Sequence, residues 1–179
     1  MITRTLTLAL LLFTGVVAQA QREHLTPQEI DLVKEAQILD KRIDVFIKAA
    51  ERRLMVINNS ASATANAKQL KKDSEKWGEL PTGSRAELIG DIARIFDEAI
   101  TNIDDVSTRD ERNPLIPKAL RKLATAVNTI MGQLKPLSAD AKSDAEIASF
   151  ELLNEDAQSI LEAANKLPPE IDKKAKKNN

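Results

Sequence analysis

IPKALRKLATAVNTIMGQL, residues 116–134, shows most clearly the pattern on which the chain is built. Its apolar residues recur at alternating steps of four and three, the spacing of a heptad seam on one face of an α-helix. The seam consists of Ile116, Leu120, Leu123, Val127, Ile130 and Leu134. We predict a helix that begins near Asn113, which would cap it, and that is stopped by Pro136.

A longer helix is predicted upstream, over residues 27–58. Its start carries three signals: Thr26 as the N-cap, Pro27 at the first helical position, and Glu29 as the acid of a capping box. The predicted buried stripe comprises Leu32, Ala36, Leu39, Ile43, Phe46, Ala50, Leu54 and Ile57. The predicted solvent-facing side carries Asp31, Lys34, Lys41, Asp44, Lys48 and Arg52.

A second long helix is predicted to follow Ser84, because Ser84 and Glu87 have the capping-box spacing. Its buried stripe is formed by Leu88, Ile92, Ile95, Ala99, Ile103 and Val106. The polar run at residues 107–112 predicts where this helix ends.

The last helix is predicted to begin at Ser138 or at Ser143, and Ser143 again has a glutamate, Glu146, at the capping-box spacing. Its apolar stripe is formed by Ile147, Phe150, Leu153, Ala157, Ile160, Ala164 and Leu167. Pro168 ends it, and the lysine-rich tail at residues 168–179 is predicted to be flexible.

Four amphipathic helices joined by short polar turns bury their stripes best against one another. We therefore predict an all-α domain over residues 21–167, an antiparallel four-helix bundle with coiled-coil seams. Phe46, Phe96 and Phe150 fall near the middle of three helices and are predicted to share one central layer. We interpret all three as core side chains rather than as part of a cofactor site.

The first twenty residues, MITRTLTLALLLFTGVVAQA, are typical of a signal peptide. Arg4 precedes an apolar run at residues 6–17, and Ala18 and Ala20 form an A-x-A cleavage site. The run is shorter than the roughly 20 residues that a membrane-spanning helix needs. We expect cleavage after Ala20, a periplasmic or secreted protein, and no transmembrane span in the mature chain.

The amino-acid composition argues against several classes of function. The 179 residues include 26 basic and 27 acidic side chains, a balance that argues against a nucleic-acid binder. The chain contains no cysteine, so neither disulfides nor cysteine-based chemistry is available. His24 is the only histidine and is predicted to lie in a disordered start, which disfavours di-iron, zinc and Ser-His sites. We expect no cofactor, no metal ion and no enzymatic activity.

Carboxylates are the remaining candidates for chemistry. Asp91, Glu98 and Asp105 recur every seven residues on the second long helix. Such acids could act as general acid and base or bind calcium, but heptad spacing also describes a solvated face. We favour the solvated face, and a hydrolase that uses these acids ranks third among the functions considered.

The only tryptophan, Trp77, lies in the lysine-rich stretch KQLKKDSEKWGEL. A short additional helix is predicted near residues 66–78, ended by Gly78. Leu70 and Trp77 share one face, through which this helix is predicted to dock on the bundle. The alternative is a contact with an anionic membrane surface, made by Lys68, Lys71, Lys72, Lys76 and Trp77.

The leading hypothesis is an exported, non-enzymatic binding or accessory module that contacts a protein partner in the cell envelope. The second is a carrier of a small apolar ligand held between the helices, because alanines on the buried stripes could leave space. These alanines are Ala36, Ala50, Ala93, Ala99, Ala124, Ala157 and Ala164. Close helix approach is the other explanation for them, and the heptad seams leave self-association open.

Overall fold

A computed structural model describes residues 23–59 and 74–169 of the chain. The predicted signal peptide, residues 60–73 and residues 170–179 lie outside this part, and so do Lys68, Lys71 and Lys72. The described residues are all-helical, as predicted, and contain no strand. The helices are α1 (Pro27–Glu35), α2 (Leu39–Asn59), α3 (Arg85–Arg109), α4 (Leu115–Ala139) and α5 (Asp144–Asn165), with a further helical turn at residues 74–77.

The four long helices share one apolar core. Helix α2 packs against α3 and α4, and α5 packs against the same two helices. Phe46 and Phe96 are fully buried and Phe150 is 5% exposed, which confirms that all three are core side chains. Their arrangement in a single layer stays a prediction.

Two predicted capping boxes are confirmed in side-chain detail. The Thr26 hydroxyl accepts a hydrogen bond from the Glu29 N–H at 3.3 Å, and the Glu29 carboxylate accepts one from the Thr26 N–H at 2.9 Å. Ser84 and Glu87 exchange the same two bonds at the start of α3, at 3.2 and 2.7 Å. Short-range sequence signals therefore fix where both helices begin.

Ser143 starts α5, but its capping box is only half formed. The Ser143 hydroxyl accepts from the Glu146 N–H at 3.2 Å. The Glu146 carboxylate instead binds the Arg85 guanidinium through two bonds of 2.9 and 2.8 Å, and these hydrogen bonds lower the pKa of Glu146. This bidentate pair ties the start of α5 to the start of α3. Ile147, predicted to be buried, lies in the first turn of the helix and is 43% exposed.

The prediction of one helix over residues 27–58 is wrong. The chain leaves helical geometry at Ala36, whose ψ is 79°, and α2 begins at Leu39. A straight helix would hold Glu29 and Arg53, 24 residues apart, about 36 Å from each other. The break lets α1 fold back along α2, so that the two side chains meet at 2.8 Å. The Arg42 Nε atom donates to the Ala36 carbonyl at 3.0 Å, which satisfies one of the groups left open by the break.

The predicted stop at Pro136 is also wrong, since α4 continues to Ala139. A proline at this position removes one donor, whose helical acceptor would be the Gly132 carbonyl. Pro136 and Gly132 both lie on the exposed face, so water can replace the lost bond. At the other end the N-cap is Pro114 rather than the predicted Asn113, and the Asn113 side chain accepts from the Leu115 N–H at 3.0 Å from one residue further upstream.

Substitution of glycine by alanine should have opposite effects at two positions. At Gly132 an added Cβ would meet nothing within 4 Å, so G132A should raise the free energy of unfolding by about 0.5–1 kcal/mol. At Gly78 the φ angle is +68° and a Cβ would lie 2.8 Å from the Gln28 Cδ atom. G78A should therefore lower the free energy of unfolding by about 1 kcal/mol. Urea unfolding measures both, and changes of the same sign would contradict this account.

Candidate functional site

Four charged side chains lie in the interior and form a buried ionic cluster: Glu29, Arg52, Arg53 and Asp91. None of them is more than 2% exposed. Arg52 was predicted to face solvent, and Asp91 was predicted to belong to a solvated acidic face, so both predictions are wrong. Two positive and two negative charges balance within the cluster, as burial requires.

Arg53 is the centre of the cluster. Its Nη1 atom donates to the Glu29 carboxylate at 2.8 Å and to the Ala49 carbonyl at 2.9 Å, and its Nη2 atom donates to the His24 carbonyl at 2.6 Å. Its Nε atom lies 4.0 Å from the Asp91 Oδ2 atom on α3. One guanidinium therefore connects the chain before α1 to α1, α2 and α3.

Arg52 connects α2 to the segment that carries the tryptophan. Its Nε atom lies 3.2 Å from the Glu29 Oε1 atom, and its Nη1 atom donates to the Trp77 carbonyl at 2.9 Å. Its Nη2 atom donates to the carbonyls of Gly78, at 3.3 Å, and of Glu79. The guanidinium carbon also lies 5.8 Å from the centroid of the indole ring.

The chain around Trp77 is thus docked on the helices. Trp77 is half-buried and borders a cleft of about 350 Å³ together with Leu32, Ala36 and Val45. Lys76 is exposed, and its ammonium lies 5.9 Å from the centroid of the indole ring. Five residues were predicted to form a contact surface. Of these, Lys76 and Trp77 lie side by side near the junction of α1 and α2.

The three acids of the predicted heptad face do not form one site. Asp91 is buried in the ionic cluster, whereas Asp105 is exposed. The Oε2 atom of Glu98 lies 2.7 Å from the Nε2 atom of His24. This contact corrects the prediction that His24 lies in a disordered start. Among residues 23–59 and 74–169, no group of three carboxylates or imidazoles is placed to hold a metal ion.

A groove of about 680 Å³ runs between α2 and α4, and we call it the α2–α4 groove. Helix α2 contributes Asp44, Ile47, Glu51, Leu54, Met55 and Asn58. Helix α4 contributes Lys122, Thr125, Ala126, Thr129, Ile130 and Gln133. The floor contains the buried side chains of Leu54 and Ile130, while the rim is polar.

Side-chain bridges cross both ends of the α2–α4 groove. At one end the Lys122 ammonium lies 2.7 Å from the Asp44 carboxylate. At the other end the Asn58 amide donates to the Gln133 side-chain oxygen at 3.3 Å. The two bridges therefore close the ends of the groove, and the groove is open to the surface between them.

The charged end of the groove is an ion-pair network that is already balanced. Lys122 lies 2.8 Å from the Asp40 carboxylate, which also binds the Lys118 ammonium at 3.0 Å. Hydrogen bonds from Lys122 and then Lys118 lower the pKa of Asp40. Burial disfavours the charged form of Lys122, but its bonds to Asp40 and Asp44 outweigh that effect and raise its pKa. The Lys122 charge is therefore used within the chain.

Sequence reasoning missed the α2–α4 groove. Its rim residues looked like ordinary solvated positions, because they lie between the seams and carry no motif. The signal that could have found it is the placement of Met55 and Ala126 beside the seams of two helices. Apolar side chains outside a narrow seam widen the apolar face, which then extends beyond the core.

The chain matches no known protein family, no curated protein and no solved structure. None of the helices in the described part of the chain combines the length and the apolar character that crossing a bilayer would require. Functional inference therefore rests on the geometry of the surface.

Proposed function

We propose that the chain is an exported, non-enzymatic binding module that works by contact with a protein partner at the α2–α4 groove. The observation that carries this proposal is the groove itself, with its buried floor and polar rim. Protein interfaces have the same anatomy, an apolar centre surrounded by polar groups. Export is supported by the pattern of residues 1–20 and places the partner in the cell envelope or outside the cell.

The proposed architecture is a four-helix bundle in which helices that follow one another along the chain run antiparallel. It is supported by the order of contacts, in which α2 and α5 each pack against both α3 and α4. Short connections reverse the chain between α3 and α4 and between α4 and α5. The neighbours α2 and α4 run in the same direction, because Asp40 binds Lys118 and Asn58 binds Gln133. In this arrangement the α2–α4 groove is one of the four lateral seams of the bundle.

A site-specific photocrosslinker tests the proposed function. We would replace Met55, which lines the groove, with p-benzoylphenylalanine and irradiate the producing cells. We expect a discrete adduct between this chain and one envelope or secreted protein. The matched control carries the same group at the exposed Gln158 of α5 and should give no such adduct. Absence of an adduct at Met55, or equal labelling at both sites, would reject the proposed function.

A second candidate function is the transport of a small apolar ligand. The bridged ends of the groove favour it, and so does its volume of about 680 Å³, which falls in the range of small-molecule sites. The alanines first considered for this role do not line the groove: Ala50, Ala93 and Ala99 are fully buried in the core. A small molecule retained in native mass spectrometry of the purified mature chain, and lost on filling the groove, would favour this candidate. Contact of residues 68–77 with an anionic membrane stays a further alternative.

A further inference from the structure

We propose that the α2–α4 groove recognises a partner segment that pairs one apolar side chain with an adjacent lysine or arginine. The cation would bind Glu51 while the apolar side chain occupies the floor beside Leu54 and Ile130. This inference rests on the proposed function and specifies the chemistry of the partner at the same site.

Charge complementarity is the first argument. The groove is lined by the two carboxylates of Asp44 and Glu51 and the single ammonium of Lys122. Lys122 is bound to Asp44 and to Asp40, whose other partner is Lys118. Glu51 makes no ion pair with any described residue, so its charge is available to a ligand.

The position of Glu51 is the second argument. It lies four residues after Ile47 and three before Leu54, so the three side chains share one face of α2. A carboxylate one turn away from an apolar floor selects a ligand that carries a cation close to an apolar group. The wall opposite offers no second anion, and the hydroxyls of Thr125 and Thr129 already donate to carbonyls of their own helix at 2.8 and 3.0 Å.

The bridges set the size of the bound segment. Asp44 and Asn58, which mark the two ends, are separated by fourteen residues of α2, or about 21 Å along the helix axis. A segment that enters between the bridges therefore spans about four helical turns or less. Such a segment can present one anchoring side chain and its basic neighbour, which is how compact interfaces concentrate their binding energy.

Selection from a displayed library of random short peptides tests the inference without knowledge of the partner. The mature chain would be the target, and the T129W variant, whose groove is filled, would be the counter-target. We expect enriched peptides that bind the mature chain and not T129W, and that carry lysine or arginine beside an aliphatic or aromatic residue. Binding of these peptides should weaken about tenfold in E51Q.

Controls separate the groove from general effects on the fold. E151Q removes an exposed carboxylate on α5 and should bind the selected peptides as the unmodified chain does. Circular dichroism and urea unfolding would establish that T129W and E51Q are folded. Enriched peptides without basic residues, or binding that is insensitive to E51Q, would overturn the inference while the photocrosslinked adduct at Met55 still supported the proposed function.

Two further outcomes are also decisive. Failure to enrich any groove-dependent peptide, combined with absence of the adduct, would reject the proposed function and this inference together. In the second outcome, the decylammonium ion binds the mature chain but not E51Q, and no peptide is enriched. In that case the groove would recognise a small cationic amphiphile rather than a protein segment. That outcome would overturn the assignment to a protein partner.

Discussion

Replacement of Arg53 by methionine should lower the free energy of unfolding by about 3–5 kcal/mol. The methionine fills much of the same volume, but Glu29 and Asp91 then lose a guanidinium that lies within 2.8 and 4.0 Å of their carboxylates. Both acids are no more than 1% exposed, so water cannot replace the lost partner. The His24 carbonyl would also lose its donor. Urea unfolding of the chain at neutral pH measures the change.

Arg94 supplies the matched control for Arg53. It approaches the same Asp91 carboxylate, at 3.6 Å, but its own side chain is 43% exposed. R94M should therefore change the free energy of unfolding by less than about 1 kcal/mol. In a double-mutant cycle, E29Q combined with R53M should cost less than the two single changes together, because the buried charge is removed along with its partner. An R53M effect as small as that of R94M would show that the cluster is not electrostatically coupled.

The burial of the ionic cluster was not predicted from the sequence, although two of its residues lie at apolar positions of their helices. Arg53 comes three residues after Ala50 and four before Ile57, and Asp91 comes three after Leu88 and four before Ile95. Both therefore fall on the apolar stripes, at positions that should have been recognised as buried. Spacing of like residues assigns such charges to a polar face, whereas a charge within an apolar stripe indicates a buried partner of opposite charge.

Local signals predicted local structure well. Three helices begin at the N-cap that the sequence predicts, namely Thr26, Ser84 and Ser143. An N-cap can be predicted because it depends on side chains only three residues apart. The break at Ala36 could not be predicted in this way. The break brings Glu29 to Arg53, which lies 24 residues further along the chain, and such a long-range pairing has no local sequence signal. The α2–α4 groove is likewise a property of two packed helices and has no counterpart in either sequence segment alone.

Replacement of Asp156 by asparagine should raise the free energy of unfolding at pH 7 by about 1–2 kcal/mol. Burial, followed by the charges of Asp97 and Glu155, raises the pKa of Asp156 to about 6. Its Oδ2 atom is buried and has no hydrogen-bond partner among the described residues. The ionised carboxylate is therefore less stable in the folded chain than in the unfolded one, and the neutral amide of asparagine removes that cost.

The stabilisation expected of D156N depends on pH, because only the ionised form of Asp156 destabilises the folded chain. Between the ordinary pKa of 3.8 and the raised value of about 6, the folded state binds the proton of Asp156 more tightly than the unfolded state does. Stability from this group is therefore present at low pH and is lost as the pH rises towards 6. The difference between D156N and the unmodified chain should be about 1–2 kcal/mol at pH 7 and close to zero at pH 4.

The exposed Asp97 separates the two causes of the shift. D97N removes one neighbouring charge but leaves Asp156 as buried as before, so it should stabilise the chain at pH 7 by less than D156N does. If the two variants had equal effects, repulsion between α3 and α5 rather than burial would dominate the pKa of Asp156. If D156N stabilised the chain equally at pH 4 and pH 7, the gain would come from the amide's own hydrogen bonds, since a protonated carboxyl has no charge to remove.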